Sequence, residues 1–150
     1  MASIYPNAKR IIWVRDPINW CWSTLQHYLW QKNGKVYQYI LDNYLQKQEW
    51  DTNDLFHTLL QDDYFDRVRL YFSKFNKYVE PGFFDFVGKS EDFDSELKRL
   101  GNVIGRELPI KDANRNPNNQ SLQLDRKDLY PYFESQYQFI EAFFGISYQA

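Results

Sequence analysis

A segment near the start of the chain carries residues suited to holding a phosphate. The run from Ile11 to Val14 is apolar and rich in β-branched and aromatic side chains, which predicts a buried strand. Asp16 followed by Pro17 is typical of a helix N-cap with proline in the first turn. Arg15, between strand and helix, has a planar, permanently charged guanidinium that suits phosphate oxygens. Unpaired N–H groups at the helix N-terminus would add to the attraction of an anion.

Ser23 lies eight residues after Arg15, about two turns along the helix at ~1.5 Å per residue. Its hydroxyl could donate a hydrogen bond to the same anion. The alternative is that Arg15 pairs with a local carboxylate while Ser23 is a solvated helix residue. A strand, turn and helix with one arginine is common in α/β proteins, so the local pattern by itself favours that alternative.

Residues 6–23, PNAKRIIWVRDPINWCWS, resemble the 3′-phosphate-binding segment of sulfotransferases that use 3′-phosphoadenosine 5′-phosphosulfate (PAPS). Residues 84–105 resemble a later stretch of that family, in which a strand, a glycine with a basic residue, a glutamate and an amphipathic helix follow one another. Residues 108–121 resemble its polar loop before a last helix. The resemblance implies that Arg15 and Ser23 bind the 3′-phosphate and that Lys89 lies near the nucleotide. For Lys89, a surface position is the alternative.

The resemblance implies an α/β fold that is α-rich, with a small parallel sheet of the P-loop-like sulfotransferase type, in a single domain over residues 1–150. The activity it implies is transfer of a sulfuryl group from PAPS to a hydroxyl of a carbohydrate or small molecule. Only fourteen residues precede Arg15, and no Gly-rich phosphate loop occurs. We therefore expect an N-terminally incomplete domain: truncated, split or degenerate. A degenerate, noncatalytic nucleotide-binding or assembly module is the alternative function.

Sulfuryl transfer needs a base for the acceptor hydroxyl and donors for the developing charge. His27 lies one turn beyond Ser23 on the same helical face and is a weak catalytic candidate; His57 is the other histidine. An ordinary solvated or structural role is favoured for each, and neither matches the family's base by position. Glu91 is predicted to be a charge at a helix N-terminus.

Composition argues against several other classes. The net charge is −2 with no long basic run, so we expect no binding to nucleic acid. Cys21 is the one cysteine, which excludes an intramolecular disulfide, and we expect it to be a packed residue. No clustered His/Cys set predicts a metal site. The chain has no apolar run of the ~20 residues that a membrane span needs and no signal peptide, so we expect a cytoplasmic protein.

Apolar periodicity and capping residues predict the remaining elements. Beyond the first helix, 17–31, which Gly34 would follow as a stop signal, the pattern predicts helices at 35–46, 53–60 and 62–76, a strand at 83–87, a helix capped by Ser90, a loop at 111–121 and a last helix at 127–144.

The predicted sheet has a gap. If the family's strand order holds, the strand that would carry the 5′-phosphosulfate loop belongs between the strand at 11–14 and the strand near 84. Direct pairing of the two strands, another strand of this chain, or a strand from a second chain could fill it. The aromatic content of 19% is too high for complete burial. We therefore expect an exposed apolar patch near these strands, and a homo-oligomer or an N-terminal partner chain.

Overall fold

The computed structural model describes residues 7–65, 79–110 and 119–148. It is a helix-rich α/β arrangement with a small parallel sheet, which confirms the fold class at that level. In chain order the elements are β1 Ile11–Val14, α1 Pro17–Gln31, α2 Gly34–Ile40, a π-helical turn Leu41–Leu45, α3 Thr52–Gln61, β2 Phe86–Lys89, α4 Phe93–Ile104, α5 Arg126–Leu129, a 3₁₀ turn Tyr130–Tyr132 and α6 Glu134–Phe144.

The two strands pair directly and in parallel. Ile11 lies opposite Phe86, and Val14 lies opposite Lys89. The ladder continues past β2, because the backbone N–H of Ser90 donates to the carbonyl of Val14 at 2.8 Å. Of the three ways to fill the gap that the family's strand order would leave, direct pairing of β1 with β2 is the one found among the described residues. Self-association near these strands stays a prediction.

Strand β2 begins at Phe86, three residues after the start of the predicted strand at 83–87. Asp85 is held against the beginning of β1, where its carboxylate accepts from the backbone N–H of Arg10 at 2.8 Å. This contact sets the register, so the two preceding phenylalanines lie outside the ladder. Gly88 lies opposite Trp13, and a Cβ at Gly88 would be 2.7 Å from the Trp13 ring. Glycine is therefore required by the close approach of that ring.

Helix α1 has the predicted bounds, because its start is specified locally. The Asp16 carboxylate accepts from the backbone N–H of Ile18 at 2.9 Å and of Asn19 at 3.2 Å. Its end differs from the prediction. Lys32, with φ of 51°, is the left-handed residue that ends α1, whereas Gly34 begins α2.

Two other predicted helix boundaries are wrong. Ser90 does not cap α4; its backbone continues the ladder to β1, and the helix begins at Phe93 after Asp92. The predicted last helix is interrupted, because Pro131 has no N–H to continue α5, and α6 begins at Glu134. The predicted helix at 62–76 lies largely outside the described residues, as does most of the predicted loop at 111–121.

Most of the core lies between α1, α3 and the last two helices. Fully buried side chains on these helices, or directly before the last one, include Ile18, Leu25, Phe56, Leu59, Leu129 and Phe133. Cys21 is also fully buried in this cluster, as predicted for a packed residue. A smaller cluster joins Val14 of β1 to Ile140 of α6. None of the helices in the described ranges is long and apolar enough to cross a membrane.

Candidate functional site

A cleft of about 660 Å³ lies where β1 and β2 end. Carboxyl ends of parallel strands are common ligand sites in α/β proteins. Side chains from α1, from the residues after β2 and from the segment before α5 line it: Arg15, Asn19, Trp22, Ser23, Ser90, Glu91, Asn119, Gln120, Ser121, Leu122, Leu124 and Arg126.

The cleft brings Arg15 and Ser23 together, as their spacing predicts. Both are partly buried, and among the described residues none forms an ion pair with the Arg15 guanidinium. The nearest carboxylate in sequence, Asp16, is paired with Arg126 instead. The alternative in which Arg15 is neutralised by a local carboxylate is therefore not found in the part of the chain that the structure describes.

The first N–H groups of α1 are not available to a ligand. Pro17 has no N–H, and those of Ile18 and Asn19 donate to Oδ1 of Asp16. The expectation that unpaired N–H groups hold the anion is therefore wrong, because the capping side chain already uses them. Arg15 is then the cation of the cleft lining that has no ion-pair partner among the described residues.

Asp16 is a buried carboxylate, with 2% of its surface exposed, that contacts two residues of the cleft lining, Asn19 and Arg126. Its Oδ2 accepts from Nη2 of Arg126, and its Oδ1 accepts from the Tyr137 hydroxyl at 3.0 Å. Nη1 of Arg126 also donates to Oδ1 of Asn19 at 3.3 Å. Burial, and then the Asp16 charge, raise the pKa of Tyr137, so its hydroxyl keeps the proton that it donates.

Glu91 connects the two strand ends rather than the start of α4. Its Oε1 accepts from the backbone N–H of Asp16 at 2.9 Å, and its Oε2 accepts from the Tyr148 hydroxyl at 3.2 Å. Burial, and then the Glu91 charge, raise the pKa of Tyr148. Glu91 thus fixes the turn that carries Arg15, which its predicted role as a helix-terminal charge did not anticipate.

Lys89 and His27 do not line the cleft. Nζ of Lys89 donates to the carbonyl of Ser147 at 3.4 Å and lies 5.3 Å from the centre of the Tyr148 ring. His27 is exposed, and its ring lies 6.0 Å from that of Trp30. His57 packs edge-on against Tyr132. Within the described ranges, neither imidazole reaches the site of Arg15 and Ser23.

The far wall of the cleft is attached to α1 by two residues one turn apart. Nε1 of Trp22 donates to the carbonyl of Gln120 at 2.9 Å, and the backbone N–H of Gln120 donates to Oε1 of Gln26. Sequence reasoning missed this wall and also missed Arg126. The position of Gln26 on the buried face of α1 could have indicated that a polar segment packs against this helix, because a buried amide needs a polar partner.

No group of three or more His, Cys, Asp or Glu residues in the described ranges could hold a metal ion. No protein-family model matches this sequence, and comparisons with curated proteins and with solved structures find no significant match.

Proposed function

We propose that this chain is a sulfotransferase-like protein whose cleft binds the 3′-phosphate of PAPS. The proposed activity is transfer of the sulfuryl group to a hydroxyl of a carbohydrate or small molecule, once a partner chain supplies the 5′-phosphosulfate loop that this sequence lacks. One observation supports this most directly: Arg15, which has no ion-pair partner among the described residues, shares with Ser23 a cleft at the ends of two parallel strands.

In this proposal the Arg15 guanidinium donates to two phosphate oxygens and the Ser23 hydroxyl donates to a third. Lys89, assigned to the nucleotide by resemblance, would have to leave the Ser147 carbonyl to reach it. In the reaction the sulfur–oxygen bond to the nucleotide breaks, the acceptor oxygen bonds to sulfur, and the acceptor proton passes to a base. His27 stays a weak candidate for that base, since it lies outside the cleft.

A noncatalytic nucleotide-binding or assembly module is the second candidate. The hydrogen bonds of Glu91 favour this candidate. Glu91 is a carboxylate in the cleft lining, and a carboxylate can act as a general base. Both of its oxygens already accept hydrogen bonds, from Asp16 and Tyr148. A carboxylate held in this way positions the turn and is poorly placed to take a proton from an acceptor.

Calorimetric titration with the desulfated nucleotide, 3′-phosphoadenosine 5′-phosphate, tests the binding site. We expect Arg15→Ala to weaken binding by ~1.5–3 kcal/mol, the range for hydrogen bonds to charged groups. Arg106→Ala is a matched control, because Arg106 is exposed and does not line the cleft. Equal affinity for parent and Arg15→Ala would reject the site, and an absence of binding by the parent would reject nucleotide recognition.

Turnover of labelled PAPS separates the two candidates. We expect the purified chain by itself to transfer sulfuryl groups at a rate near background, because its sequence has no Gly-rich 5′-phosphosulfate loop and no base is free in the described part of the cleft. Robust turnover would reject the noncatalytic candidate, and loss of that turnover in His27→Ala would assign the base.

A further inference from the structure

We infer that Arg126 is a second anion-binding residue of the cleft, and that the buried Asp16 carboxylate limits its attraction for the ligand. This inference rests on the proposed phosphate site, which it extends from one cation to two.

The Arg126 side chain lines the cleft with 33% of its surface exposed. Its described contacts are Nη2 to Asp16, Nη2 to Tyr137 at 3.2 Å and Nη1 to Asn19 at 3.3 Å. A guanidinium has five N–H donors, so these three contacts leave two donors, one of them on Nε. Arg126 is thus held in place at the cleft wall while it keeps donors for a ligand.

Fixing the guanidinium before the ligand arrives favours binding. A free arginine loses much rotamer freedom when it grips an anion, and a held one has already lost it on folding. The same contact also opposes binding. The negative charge of Asp16 is paired with Arg126 and partly cancels the positive charge that would attract an anion. Arg15 and Arg126 therefore present two cations, one of which is neutralised by its anchor.

Asp16→Asn tests whether the Asp16 charge limits anion binding in the cleft. Asparagine retains an oxygen that can cap α1 but removes the charge that compensates Arg126. With inorganic phosphate as the probe, we expect calorimetry to show binding about threefold to tenfold tighter, because one nearby negative charge is lost. We expect the melting temperature to fall in the same variant. Unchanged or weaker phosphate binding would overturn the inference, because the Asp16 charge would then not limit the attraction of the cleft for an anion.

A second set of variants does not depend on altering the helix cap. We expect Arg126→Gln to weaken phosphate binding about tenfold, the scale of one charge-assisted hydrogen bond. Arg126→Lys, which keeps the charge, should restore part of the affinity. Arg106→Gln is the control outside the cleft. Equal affinities for Arg126→Lys and Arg126→Gln would show that charge at this position does not matter and would overturn the inference.

The two proposals fail in different ways. A parent chain that binds phosphate but not the 3′-phosphorylated nucleotide would reject the proposed function and leave the role of Arg126 supported. Nucleotide binding that Arg15→Ala weakens and Arg126→Gln leaves unchanged would reject the role of Arg126 alone.

Discussion

The two ends of β1 each carry an arginine, and the two differ in how their charge is used. At the amino end, Nε of Arg10 donates to Oδ2 of Asp85 at 3.0 Å, and the guanidinium lies 4.5 Å from the centre of the Phe83 ring. At the carboxyl end, Arg15 has no ion-pair partner in the described ranges and lines the cleft. Arg10 therefore fixes strand register, whereas Arg15 keeps its donors for a ligand.

The neighbouring aspartates explain this difference. Asp85 is exposed and accepts from both the backbone and the side chain of Arg10. Asp16 is buried, and its two oxygens accept from the backbone N–H of Ile18 at the start of α1, from the Tyr137 hydroxyl and from Arg126. Because Asp16 is used in these contacts, Arg15 is left without a carboxylate partner. A binding arginine can thus arise when the fold uses the adjacent carboxylate elsewhere.

The largest expected effect is a loss of stability when Asp16, and not Asp85, is replaced by alanine. Asp16→Ala removes a helix cap and one side of a buried ion pair, so we expect the free energy of unfolding to fall by roughly 3–5 kcal/mol. Asp85→Ala removes an exposed ion pair and an exposed hydrogen bond to the Arg10 backbone, so we expect a clearly smaller loss than for Asp16→Ala. Urea unfolding of both variants tests this contrast. Similar losses would show that the two ends of β1 are equally important for stability.

Truncating the two arginines should separate binding from stability. We expect Arg15→Ala to change the free energy of unfolding by no more than about 0.5 kcal/mol, because it leaves no described contact unsatisfied. Arg10→Ala should lower it by about 0.2–1 kcal/mol and leave nucleotide affinity unchanged. Urea unfolding measures the stability of both variants, and calorimetric titration measures their affinity for the nucleotide. A stability loss larger for Arg15→Ala than for Arg10→Ala would contradict the comparison.

Acid should weaken the amino end of β1. The hydrogen bonds from Arg10 lower the pKa of Asp85 from 3.8 to about 2. The folded state therefore holds the Asp85 proton less tightly than the unfolded chain does. The resulting stabilisation is complete above about pH 4 and is lost as the pH falls towards about 2. Melting temperatures between pH 5 and pH 2 should fall less steeply for Asp85→Asn than for the parent; parallel curves would contradict this.

The smallest effect is expected at Lys89. Its ammonium group is held by the Ser147 carbonyl and the Tyr148 ring, outside the cleft lining. We expect Lys89→Gln to reduce affinity for the 3′-phosphorylated nucleotide by less than about 1 kcal/mol, the range of an exposed charge. A loss as large as that in Arg15→Ala would show that Lys89 reaches the nucleotide and that the carboxyl end has a further cation.

Local sequence determined α1 and the two residues of the site that lie on it or beside it. Asp16 and Pro17 specify the helix start within a few residues. Once the helix forms, its regular rise fixes Arg15 and Ser23 on one side of the same cleft. Apolar strands between helices likewise predicted a small sheet in a helix-rich chain, whereas the parallel order of its strands was implied by the family resemblance.

Only the tertiary structure decided the register of β2 and the contacts that complete the cleft. Glu91 and Arg126 meet Asp16 across separations of 75 and 110 residues. Local propensity and periodicity do not specify such partners, because each polar group could pair with many others until packing brings specific elements together. The burial of Asp16 then favours the packing in which its carboxylate is hydrogen-bonded, since an unpaired buried carboxylate would destabilise the fold. The local sequence therefore specifies the position of Arg15 between strand and helix. The long-range pairing of Asp16 with Arg126 leaves the Arg15 guanidinium without a carboxylate partner among the described residues.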